Sequence, residues 1–223
     1  MYTNRGITIK KPVIYTIVII CCVAFGFVLS CAVSMLTGFT LFGGAADDDE
    51  FPEHTGNADL TALAYDVLQF IKDNDFAALS QAAHPEFGVV FSPSATINLA
   101  ANKRFNTAQI AAMGTDSNVY IWGIHDGSGE PIEMTPVEYF NEFIPAGSFI
   151  CAPYIGVNRI ARSGNALENI TDVFPDIKFI DFHLPGGERE AAEEPDWSSL
   201  RFGFEIFEGS FRLTVIIYSK WTV

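Results

Sequence analysis

Apolar and polar residues alternate along this chain in three distinct rhythms. From Val13 to Leu36 (VIYTIVIICCVAFGFVLSCAVSML) every position is uncharged and most are apolar. As a helix, that run spans roughly 36 Å, enough to cross a hydrocarbon core of ~30 Å with some tilt. From Leu60 to Ile71 the apolar positions Leu60, Leu63, Ala64, Val67, Leu68 and Ile71 recur at helical spacing and make one stripe, with Asp59 as the expected N-cap. Toward the end the period drops to two. Leu200, Phe202, Phe204 and Ile206 alternate with Arg201, Gly203 and Glu205. After Glu208-Gly209, Phe211, Leu213, Val215, Ile217, Ser219 and Trp221 alternate with Arg212, Thr214, Ile216 and Tyr218. Two period-2 runs around a glycine turn predict a β-hairpin. A two-residue turn sets Phe204 opposite Leu213, Phe202 opposite Val215 and Leu200 opposite Ile217, with Arg201 on the Glu205 side.

Between these stretches the elements are short. Asp75 can cap a helix over 76–83, which His84-Pro85 ends because the residue before proline avoids helical backbone. Gly88 to Phe91 predicts a strand. Phe105 to Met113 predicts a short helix with Asn106 as cap, and Asn118 to Gly123 a strand. His125 to Ile132 predicts a loop. Thr135, Pro136 and Glu138 make a capping box that starts a helix. Phe149 to Ile160 predicts an irregular strand, Asn165 to Phe174 a helical turn, and Ile177 to Leu184 a strand. Pro185 to Pro195 is too polar and glycine-rich to bury. Helices first and several strands later predict an α+β domain with helices packed on one curved antiparallel sheet.

Charge gives these elements a location. Arg5, Lys10 and Lys11 precede the apolar run, and Asp47 to Glu50 follow it. Positive flanks favour the cytoplasmic side. The expected organisation is a cytoplasmic N-terminus (1–12), a transmembrane anchor (13–37), an acidic linker (38–58) and an extracytoplasmic domain (59–223), in a single-pass protein of the cell membrane. A lipoprotein anchored at Cys31, after Val28-Leu29-Ser30, is the alternative. Cleavage near Ala45-Ala46 is a third reading. All 27 acidic residues follow Ala46, whereas three of the 13 basic ones precede the span. So acidic an outer domain disfavours nucleic acid and anionic headgroups as partners. The expected partners are the membrane, through the N-terminal helix, and an unidentified ligand or envelope component; a homodimer stays open.

Cys151 is the lone cysteine of the domain, so no disulfide forms within it, and Phe149, Ile150 and Pro153 around it predict a buried thiol. Lipase, P-loop, zincin and paired C-x-x-C motifs are absent. The four histidines lack metal-ligand spacing, so no cofactor or metal is expected. Asp126, Ser128 and Glu130 alternate as calcium ligands do, but the loop lacks its closing glutamate. His84 is expected to cap the last carbonyls of its helix; the sharper role is a general base. Trp122 and Trp197 suit core or rim packing, or the mouth of a pocket. His84, Trp122, His125, Asp126, Glu130 and Trp197 are therefore the candidate ligand-binding residues.

Several blocks in order also carry a resemblance: His84-Pro85-Glu86, Phe91-Ser92-Pro93, Trp122-Gly123, Asp126 to Ile132, Asp196-Trp197 with Ser199-Leu200-Arg201, and Trp221-Thr222. They resemble an uncharacterised family of exported, often lipid-anchored proteins of Gram-positive bacteria, with a nuclear-transport-factor-2-like (NTF2-like, cystatin-like) domain. The resemblance implies a cone-shaped domain and an exported location, and it implies no activity. A non-catalytic module binding a ligand or partner is the expected function. An enzyme acting on a small apolar molecule inside the cone is the alternative.

Overall fold

The computed structural model describes residues 53–125, 128–186 and 196–221, with side chains from Gly56 onward. The expected span over 13–37 and most of the expected linker lie outside the described residues; within them no helix is long and apolar enough to cross a membrane. Helix α1 (Glu53–Lys72) starts six residues before Asp59. Its stripe is buried as the spacing requires: Leu60, Ala64, Val67 and Leu68 are fully enclosed. Asn74, at φ 56, turns the chain into α2 (Phe76–Ala82), capped by Asp75, whose side chain accepts from the Ala78 N–H.

Strands β1 (Val89–Ser92) and β2 (Lys103–Phe105) precede α3 (Thr107–Ala112), which begins in a capping box between Asn106 and Gln109. Strands β3 (Tyr120–Ile124) and β4 (Pro131–Met134) form a separate antiparallel pair. The stretch expected to be all loop thus ends in a strand at Pro131. Helix α4 (Pro136–Phe143) opens on the capping box of Thr135 and Glu138. The Phe149–Ile160 region divides into α5 (Ala146–Phe149) and β5 (Tyr154–Val157). Helix α6 (Ile170–Val173) follows, then β6 (Lys178–Leu184), β7 (Ser198–Phe207) and β8 (Ser210–Lys220).

The architecture is α+β. The main sheet has six strands in the order β2-β1-β8-β7-β6-β5. Every pairing is antiparallel except β1 with β8, which run parallel. The sheet is therefore mixed, because β1 reaches β8 across the body of the chain and not through a hairpin.

The β7–β8 hairpin corrects the expected register. Glu208 (φ 49) and Gly209 (φ 77) make the two-residue turn, and Glu205 faces Arg212 and Phe204 faces Leu213 as expected. Beyond that the register shifts: Gly203 faces Val215, Phe202 faces Ile216, Arg201 faces Ile217 and Leu200 faces Tyr218. Thr214 is the extra residue of a bulge, and its hydroxyl donates to the Arg212 carbonyl at 3.1 Å. Past the bulge, side chains of β8 exchange faces. Leu213 and Ile216 join Phe202, Phe204 and the helices, while Val215 and Ile217 join Ile170, Phe174, Ile177 and Phe179 on the other side.

Cys151 is exposed, against expectation. It lies just past α5 in a turn where the Ala152 N–H donates to the Phe149 carbonyl; that turn buries Phe149 and leaves position 151 outside.

Candidate functional site

The space between the helices and the sheet is filled by aromatic rings. Trp122 stacks on Tyr139 with centroids 3.8 Å apart and planes 6° from parallel, and Tyr139 stacks in turn on Phe143 at 5.0 Å. Phe91 meets Trp122 edge-on at 5.5 Å and Phe105 at 5.8 Å. The Trp122 indole N–H donates to the Met134 carbonyl at 2.9 Å, tying the β3–β4 pair to this core. Phe182, Phe202 and Phe204 close it from the sheet side. Burial pushes the Tyr139 phenol far above its ordinary range, so it stays neutral. Aromatic stacking with a satisfied indole is a packing arrangement; among the described residues the buried charged side chains are Asp181, His183 and Arg201, which alternate along β6 and β7 with Phe182, Leu200 and Phe202.

The opposite face of the sheet holds buried charge. Asp181 on β6 pairs across with Arg201 on β7, and His183 with Ser199 one step along. The Arg201 guanidinium donates to Glu168 Oε2 at 2.7 Å and to Asp181 Oδ2 at 3.3 Å. Asp181 Oδ2 also accepts from the Ala161 N–H at 2.8 Å. His183 Nδ1 and the Ser199 hydroxyl are 2.9 Å apart. The network is not saturated: Glu168 Oε1, Asp181 Oδ1 and Arg201 Nε have no hydrogen-bond partner among the described residues. Burial raises the Asp181 carboxyl above its ordinary range, although the Arg201 charge pulls it down. Burial, aided by the Arg162 charge, lowers His183. These are marks of a charged clasp under the segment that carries Ala161 and Glu168.

The six residues expected to line a site do not come together. Trp122 belongs to the aromatic core. Trp197 is buried beside the His183 ring at 5.7 Å, with Arg162 over its face at 5.9 Å, and its indole N–H has no partner among the described residues. His84 does not cap helical carbonyls; its Nδ1 accepts from the Phe87 N–H at 3.0 Å and, at 3.3 Å, from that of Glu86. It closes the turn before β1, and its ring rests edge-on against Phe207 at 4.9 Å. Glu130 is exposed. Asp126 lies outside the described residues. His84 bonds through its N–H to Leu213, near the start of β8, whereas His125 sits by Lys220 at the far end. Seven strand residues at about 3.3 Å each put about 20 Å between those ends.

Of the six, His125 alone lines a cavity found at the surface. This groove of about 410 Å³ has a floor of Ala95, Ile132 and Phe143, and at its margins stand His125, Glu142, Ser219 and Lys220. Sequence reading passed over Glu142 and Lys220 because single charges at the end of a helix and of a strand carry no pattern. Arg201 and Asp181 did leave a trace: opposite charges in the middle of two apolar strands.

No family model matches the chain, and no curated protein matches it. Among solved structures the chain is similar to a Streptomyces avermitilis protein of the NTF2-like family described as a candidate dehydratase. The match has 11% identity and a TM-score of 0.29, over 76% of this chain and 99% of that one.

Proposed function

We propose that this protein is a membrane-anchored extracytoplasmic binding module, built on an NTF2-like (cystatin-like) cone, which holds a ligand or envelope partner without transforming it. The observation that carries this reading is the filled interior. A catalytic cone needs an open cavity with convergent polar groups. Here Phe91, Phe105, Trp122, Tyr139 and Phe143 occupy that space. The buried charges lie on the other face, where Arg201 is held between Asp181 and Glu168. This arrangement favours binding over chemistry inside the cone.

The location rests on Arg5, Lys10 and Lys11 before the apolar run and Asp47 to Glu50 after it. A reporter that functions only outside the membrane, fused after Val223, is expected to be active; a reporter functional only in the cytoplasm, active at that position, would sink the topology. The binding reading is tested by native mass spectrometry of the full chain extracted from its host membrane. A retained small molecule or partner, released unchanged on unfolding, is expected. A bound species found together with its chemically altered form would favour the enzyme.

A further inference from the structure

We infer that the groove beside the end of β8 binds a small zwitterion of the amino-acid type bearing an apolar side chain. The inference rests on the binding-module reading and names the ligand class for one site. Its floor is apolar and enclosed: Ala95 and Ile132 are each 1% exposed and Phe143 is 5% exposed. Two opposite charges stand at its margins. Glu142 and Lys220 are both exposed, and neither has an ion-pair partner among the described residues. Glu142 occupies the last turn of α4, the end at which the helix dipole disfavours a negative charge. Helix stability therefore does not account for it. Ser219 also lines the groove, and its hydroxyl has no hydrogen-bond partner among the described residues.

Charge complementarity selects the ligand. An anion would meet the Glu142 carboxylate, and a cation the Lys220 ammonium. An amino acid carries an ammonium and a carboxylate on one carbon and can offer the first to Glu142 and the second to Lys220, with Ser219 and His125 also lining the groove. Its side chain then covers Ile132 and Phe143. The volume of about 410 Å³ falls at the small end of ligand pockets and suits a single amino acid or a short peptide end.

The test is calorimetric titration of the full chain in detergent with L-leucine and L-phenylalanine, and then with leucinamide and N-acetyl-leucine, which lack one charge each. Either blocked form is expected to bind about two- to fivefold more weakly than leucine, as the loss of one contact to a solvent-exposed charge implies. Glu142→Gln should weaken leucine to the same extent and leave N-acetyl-leucine unchanged. Lys220→Gln should do the reverse, sparing leucinamide. Both positions are exposed, so neither variant threatens the fold. Failure of both amino acids to bind, or equal binding by the wild type and the two variants, would overturn the inference. A different molecule retained in native mass spectrometry would then leave the module reading standing.

Discussion

The two faces of the main sheet are held by different physics. On the helix side, Phe202 and Phe204 of β7 join a continuous aromatic core. On the other side, Arg201 of the same strand joins an ion network under the α6 segment, beside a smaller apolar cluster. Neighbouring residues of one strand thus divide the work. Apolar burial on one face supplies cohesion that tolerates modest changes of shape. The charged face supplies little net stability, because desolvating three ionic groups offsets their attraction. It does fix one arrangement of the covering segment, since any other would strand a buried charge.

The sharpest way to break this contrast is to delete the largest ring of the aromatic face. Trp122→Ala should cost about 3–5 kcal/mol in denaturant titrations; a loss below about 1 kcal/mol would mean that this core is loosely packed. On the charged face, Arg201→Met should cost about 3 kcal/mol, because it leaves Asp181 and Glu168 facing each other without a cation. Replacing all three at once, with Asp181→Leu and Glu168→Leu, should return the protein to within about 1 kcal/mol of wild type. If the triple variant is as damaged as Arg201→Met, the network is a source of stability and the contrast fails. Gly203→Ala tests the sheet between the faces. An added Cβ would come within 2.6 Å of both Ile177 Cδ1 and Val215 Cγ1, so a loss of about 2 kcal/mol is expected, as for other overpacked sites.

The smallest effect is one of pH. The Asp181 carboxyl is raised in the native state, so that state binds its proton more tightly than the unfolded chain does. Its contribution is full below the ordinary value of 3.8 and is lost as pH rises from there through the raised native value. His183, which is lowered, acts in the opposite sense, losing its contribution as pH falls below 6.5. Comparing urea midpoints across pH for wild type and Asp181→Asn isolates the first effect. The variant should lack the decline above 3.8, and identical profiles would show that Asp181 does not titrate differently on folding.

The aromatic face was the legible one. The stripe from Leu60 to Ile71, the caps at Asp75, Asn106 and Thr135, and the turn at Glu208-Gly209 follow from local rules, and the structure has each of them. The bulge at Thr214 was not legible. Strict alternation continues straight through Leu213, Val215 and Ile217, and only the tertiary fit of Gly203 between Ile177 and Val215 selects the slip. The face of Arg201 was readable from β7, which keeps its period; its burial was not, because the segment covering it has no strong pattern of its own. The candidate site was the least legible. Trp122, Trp197 and His84 drew notice by residue type, yet their polar atoms or rings are committed to packing or turn closure, whereas the groove draws on residues far apart in the chain.

The parallel pairing of β1 with β8 bears on how the molecule is made. β8 lies between β1 and β7, in the middle of the sheet, yet it follows every other strand in the order of synthesis. Val90 waits for Val215, and Phe91 for Ile216, so a nascent chain carries its helices and the other five strands of this sheet with no β8 to join the β1–β2 pair to β5, β6 and β7. Long-range pairings of this kind are slow to form and delay collapse until late in folding. The six-stranded sheet cannot be completed until the residues of β8 have been made.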